Sequence, residues 1–153
     1  MTDQIRDGVI RLAHAVARAG LVIAAGGNIA GRVGADQLWV TPTGWNLADL
    51  STDDLVLVSA DGDHLEGANR ATSELLLHVA AMRVRPDIAW SVHLHPPVAT
   101  LLQALDVEIR AITTDHAFYL RRRLTNKAGA HLDLLGVRGA PQKQTQTAQD
   151  QAQ

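Results

Sequence analysis

The sequence predicts a layered domain of the α/β or α+β class, and three observations carry that expectation. Three segments space their apolar residues as helices do: residues 3–19, 72–84 and 97–105. Short apolar runs of strand length lie between and beyond them, at 38–41, 55–58, 88–94 and 109–113, and several are entered through hairpin-type turns. The chain has 153 residues, 46% of them hydrophobic and 20% charged, which suits one domain with a real core.

The elements follow in order. Ile5, Val9, Leu12, Ala13 and Val16 form the apolar stripe of the first helix, and Gly20 is its stop. GLVIAAGGNIAGRV is an apolar run broken by Gly26 and Gly27. Gly34-Ala35-Asp36 reads as a hairpin turn into a strand from Leu38 to Thr41. The turn-rich TPTGWNLADLSTDD leads to a strand from Leu55 to Val58, closed by the turn Asp61-Gly62-Asp63. Thr72 reads as the N-cap of a helix with Leu75, Leu76, Val79 and Ala80 on its apolar face, and Pro86 blocks its continuation. Ile88 to Leu94 reads as a buried strand, and Pro97 opens a helix running to about Leu105. Ile109 to Thr113 is a further short strand. Composition shifts after Leu124, and the last thirteen residues, PQKQTQTAQDQAQ, hold six glutamines and almost nothing to bury. They are expected to be disordered.

Composition excludes several functions. A net charge of −2 gives no global field for nucleic acid or an anionic membrane. The absence of cysteine removes disulfides, thiolate metal sites and cysteine nucleophiles, and fits a cytoplasmic protein. MTDQIRDGVI does not read as a signal peptide, and no segment approaches the ~20 apolar residues of a membrane helix.

The chemistry-bearing features are few. His93 and His95 alternate along a strand, so both imidazoles point to one face and could reach one metal ion. Local hydrogen bonding at a strand end is the plainer role for such a pair. Glu74, in ATSE, opens a helix, where an acid complements the dipole in any case; its functional role would be that of a base beside a carbonyl. The turns GGN (Gly26–Asn28), TPTG (Thr41–Gly44) and Thr72-Ser73 offer backbone N–H groups and hydroxyls, and together they could hold a phosphate. GGNIAG fails G-x-G-x-x-G because Asn28 stands at the second glycine, so a dinucleotide fingerprint is rejected. His116, with Asp115 and Tyr119 nearby, is a further polar candidate, and Arg121–Arg123 reads as a solvated face.

The order GGN, TPTG, TSE, HLH resembles the class II aldolase/adducin family, typified by fuculose phosphate aldolase, over about Ile5 to Arg123. The resemblance implies a layered α/β/α fold with a central, largely antiparallel sheet, and a homo-oligomer, often a tetramer. It implies zinc or another divalent metal and a small-molecule substrate, a sugar phosphate or related hydroxycarbonyl compound. His93 and His95 match the first two zinc ligands, and Glu74 matches the acid/base. Asn28, Thr43, Gly44, Thr72 and Ser73 match phosphate-holding positions. The implied reaction is retro-aldol cleavage, with zinc stabilising an enediolate and Glu74 shuttling protons at its carbon. Relatives of this fold also epimerise or dehydrate, and the adducin head serves assembly without catalysis.

Departures bear on this. The family's third zinc histidine lies near an HHG-like motif that is absent here, and His131 has unmatched surroundings. Ala25 and Ala30 stand where hydroxyl residues are common, and Thr114, not Tyr119, aligns with the tyrosine of the aldolase. Residues 1–124 are expected to be the N-terminal portion of the family domain and 125–153 a divergent tail, as a frameshift or early end would leave. The chain would then be a weakened enzyme, an adducin-like assembly domain or an inactive remnant, with an apolar sheet face exposed. With two histidine ligands where a catalytic zinc takes three protein ligands, metal analysis of the purified chain is expected to find less than one zinc per chain, and less again in His93→Ala. A full, tightly held equivalent would overturn that expectation.

Overall fold

The computed structural model describes residues 2–107. Helix α1 spans Thr2–Arg18, followed by strands β1 (Gly27–Val33), β2 (Gln37–Val40), β3 (Val56–Ser59) and β4 (His64–Glu66). Helix α2 spans Leu75–Val84, β5 Trp90–Leu94 and α3 Pro97–Ala104, with a 3-10 turn at Thr52–Asp54 before β3.

The strands form one sheet in the order β4-β3-β2-β1-β5, and every pairing is antiparallel. Successive side chains on a strand point to opposite faces, and the sequence obeys this. Ile29, Trp39 and Leu57 join Val9, Ala13 and Val16 of α1 in one apolar cluster. Their neighbours Ala30, Leu38, Val40, Val56 and Val58 join Val79 and Met82 of α2 in the other. The result is the layered α/β/α arrangement with a central antiparallel sheet that the family resemblance implied.

The helices end for local reasons. Gly20 adopts a left-handed φ of +67°. Its N–H donates to the Ala17 carbonyl, and the Leu21 N–H donates to that of Val16, which satisfies two end carbonyls of α1. The far end of α2 is held to the sheet by Arg32 of β1, which donates from Nη2 to the Met82 carbonyl at 2.5 Å and from Nε to the Ile88 carbonyl at 3.1 Å. A cation at a helix C-terminus also complements the dipole.

Four expectations need correction, the first being that Leu76 and Ala80, expected on the apolar face of α2, are exposed, while His78, Val79, Ala81 and Met82 are buried there. The turn at Asp61–Asp63 leads into a fourth strand, β4, whose residues are all exposed and carry no burial pattern for a sequence reading to find. The strand expected to be buried from Ile88 begins at Trp90 and is buried on one face only. Val92 is 41% exposed because β5 is the outermost strand among the described residues and α1 packs over β1 and β2. The helix expected from Thr72 begins at Leu75, with Glu74 at the N-cap, because residues 72–74 form a tight turn first. Helix α3 forms where Pro97 placed it but buries none of its residues. The strand expected at 109–113, the His116 group, Thr114, Arg121–Arg123, His131 and the glutamine-rich tail lie outside the described residues.

Ile29 is fully buried where α1 crosses β1, so Ile29→Ala is expected to cost about 2–5 kcal/mol in urea unfolding. Leu65→Ala on β4, where the side chain is 48% exposed, is expected to stay within about 0.5 kcal/mol of the parent.

Candidate active site

The site begins with the pairing of β5 against β1, which sets Asn28 opposite His93 and Gly27 opposite Leu94. The ladder continues one step beyond β5, where the His95 N–H donates to the Gly26 carbonyl at 2.9 Å. The approach is close: a Cβ on Gly27 would stand 2.8 Å from the His93 carbonyl oxygen. Only glycine allows the two backbones to meet at this spacing. Ser91 and His93 are buried on the α2 side of the sheet, while His95 lies just past the strand end and is exposed.

The start of α2 meets the same spot. Pro42 and Ala71 form an isolated bridge, and around it Thr43 N–H donates to the Arg70 carbonyl and Thr72 N–H to that of Thr41. TPTG and ATSE therefore run side by side. The buried Thr41 also ties this pair to β1, since its Oγ1 accepts from the Ile29 N–H at 3.1 Å. Thr72, itself buried, accepts at Oγ1 from the Glu74 N–H at 3.2 Å and orients the glutamate.

Glu74 then reaches the histidines. Its Oε1 lies 3.2 Å from His93 Nε2, with the glutamate side chain 37% exposed and that of His93 nearly enclosed. His93 Nε2 and His95 Nε2 are 2.7 Å apart, with the rings almost perpendicular. One ligand atom from each of the three residues falls within 4.8 Å of the others. Nitrogens this close leave room for a single hydrogen between them, carried by one ring and accepted by the other. Two imidazoles and a carboxylate suit zinc or a similar divalent ion.

The other glutamate oxygen, Oε2, accepts from Asn28 Nδ2 at 2.5 Å. Asn28 Oδ1 lies 2.6 Å from His78 Nε2, and His78 Nδ1 lies 2.8 Å from Ser91 Oγ. His78 is fully buried. Burial first, and the neighbouring His93 second, push its pKa down to about 4 against the opposing pull of Glu74. Sequence reasoning missed His78 and Ser91. Both carried a signal: His78 is four residues after Glu74 on one helical stripe, and Ser91 is two before His93 on one strand face.

Of the positions matched to phosphate binding, Asn28 and Thr72 are buried, while Thr43, Gly44 and Ser73 are exposed. Gly44 has a φ of +76° at the tip of its turn. Among the described residues no helix is long and apolar enough to cross a membrane.

Comparison with known proteins identifies the family. Residues 7–149 match the Class II Aldolase and Adducin N-terminal domain. An L-fuculose phosphate aldolase of Methanocaldococcus jannaschii is 34% identical over 101 residues, 66% of this chain and 54% of that protein. A 5-methylthioribulose-1-phosphate/5-deoxyribulose-1-phosphate aldolase of Rhodospirillum rubrum is 36% identical over 107 residues, 70% of this chain and 48% of that one. A methylthioribulose-1-phosphate dehydratase of Yersinia enterocolitica is 28% identical over 134 residues, covering 87% of this chain and 62% of that protein. Among solved structures, an L-fuculose-1-phosphate aldolase of Thermus thermophilus superposes with a TM-score of 0.63 at 25% identity, over 82% of this chain and 63% of that one. The chain thus spans about half the length of the first two relatives. The matched domain, the similar relatives and the shared antiparallel sheet point one way, and the chain belongs to the class II aldolase and adducin N-terminal domain family.

Proposed function

We propose that this chain is part of a divalent-metal lyase that breaks a carbon–carbon bond in a small sugar phosphate or related hydroxycarbonyl compound. The convergence of Glu74, His93 and His95, with ligand atoms within 4.8 Å, is the observation that carries this reading. His93 and His95 would hold zinc or a similar ion. When bound, the ion supplies Lewis acidity toward the oxygens of the substrate. Glu74 delivers a proton to the carbon freed by cleavage and removes it in the reverse direction. Its partial exposure leaves it accessible to substrate, and Asn28 holds the oxygen it does not turn toward His93. Thr43, Gly44 and Ser73, with Asn28 and Thr72, form the proposed phosphate cradle. The exposed Val98 and Leu101 of α3, with Leu105 just past its end, support a homo-oligomer. A cytoplasmic location is proposed with it, as is a division into residues 1–124 and a divergent tail, 125–153.

Two further readings have their own support. The dehydratase relative favours elimination of water in the same site. Membership of a family that includes adducin favours an adducin-like assembly role without turnover.

Full-length chain supplied with zinc is expected to cleave L-fuculose 1-phosphate or 5-deoxyribulose 1-phosphate, read as triose phosphate released. Glu74→Gln is expected to lower that rate on the order of 100-fold or more with the fold retained, as loss of a general acid/base does. Metal bound at His93 and His95 with no cleavage of either ketose phosphate would favour the assembly role. Water loss without cleavage would favour the dehydratase.

A further inference from the structure

One buried titratable side chain has no part in that chemistry. His78 is fully enclosed between α2 and the sheet, and both of its ring nitrogens meet polar atoms. Its contacts belong to an unbroken series: Ser91 Oγ, His78, the Asn28 amide, Glu74, His93 and His95, with links between 2.5 and 3.2 Å.

The direction of each bond follows from one end. An ionised carboxylate only accepts, so the group Asn28 turns to Glu74 Oε2 is its NH2. The amide carbonyl then faces His78 and also only accepts, so His78 Nε2 carries a hydrogen. A ring kept neutral by its burial has a lone pair at Nδ1, and Ser91 Oγ donates to it. An amide turned by 180° would set its oxygen against the carboxylate and its NH2 against the Nε2 hydrogen, leaving both bonds unmade.

We propose that His78 is a positioning residue: its Nε2–H, donated to Asn28 Oδ1, locks the amide so that the NH2 holds Glu74 Oε2 and keeps Oε1 turned toward His93. The role rests on the reading of Glu74, His93 and His95 as the reaction centre. The hydrogen-bonded route from His78 to the histidine pair runs through Asn28 and Glu74. A histidine that merely filled the core would show no tautomer preference tied to Asn28, and its loss would change stability only.

The test is spectroscopic first. Nitrogen-15 NMR of the full chain is expected to find His78 as the neutral Nε2–H tautomer, unchanged from pH 8 to pH 5.5. The Nδ1–H tautomer, or ordinary titration near pH 6.5, would overturn the proposal. Two variants extend it. His78→Leu is expected to shift the Asn28 side-chain amide signals and weaken cobalt binding on the order of tenfold, the usual cost of losing a hydrogen bond behind a ligand set. His78→Gln, which can present an N–H to Asn28, is expected to recover most of both. A folded His78→Leu with parental amide signals and parental cobalt affinity would assign the residue to packing alone. Should His78→Leu fail to fold, the tautomer and the Gln variant still decide. Should the parent bind no cobalt, the metal reading falls, while the tautomer and amide signals judge His78 independently.

Discussion

The register between β1 and β5 is the constraint on which the rest of the site depends. With Asn28 opposite His93, every polar group of the centre lies on the α2 side of the sheet. A slip of one residue would turn His93 to the α1 side and bring Val92 to Glu74. Two features hold the register. Gly27 allows the strands to approach to a distance that no side chain would permit. The ladder is then extended past β5 by the His95 N–H to Gly26, which anchors the second histidine by its backbone.

Around this register the molecule accepts an electrostatic cost. Asn28, His78, Ser91, His93 and Thr72 are all buried, and buried polar atoms are costly unless paired. Pairing them with one another meets that cost and limits conformational choice. Glu74 stands at the boundary, one oxygen facing inward to Asn28 and the side chain still partly open to solvent. A group that must exchange protons with a substrate is suited by that position. The apolar layers on both faces supply the rigidity, since α1 and α2 each bury a stripe against alternate residues of the same strands.

Much of the fold was legible because its signals are local. The stripe of α1, the Gly34 hairpin, the stop at Pro86 and the start at Pro97 each rest on a few neighbouring residues. β4 escaped because all its residues are exposed. The burial of β5 was overstated because an apolar run does not tell which strand lies outermost. The start of α2 was misplaced by the short turn at Thr72, whose hydroxyl serves Glu74 in place of a helix N-cap.

By itself, the sequence determined the stripe of α1, the helix stops, the shared face of His93 and His95, and the order of motifs that marks the family. These depend on spacing along the chain, and spacing is what a sequence records. Only the tertiary structure decided that Glu74 meets that pair, that Asn28 and His78 stand behind it, and that Thr41 binds one turn to another. Those contacts join residues that are far apart in the chain, and they exist because sheet register and helix packing bring them to one point.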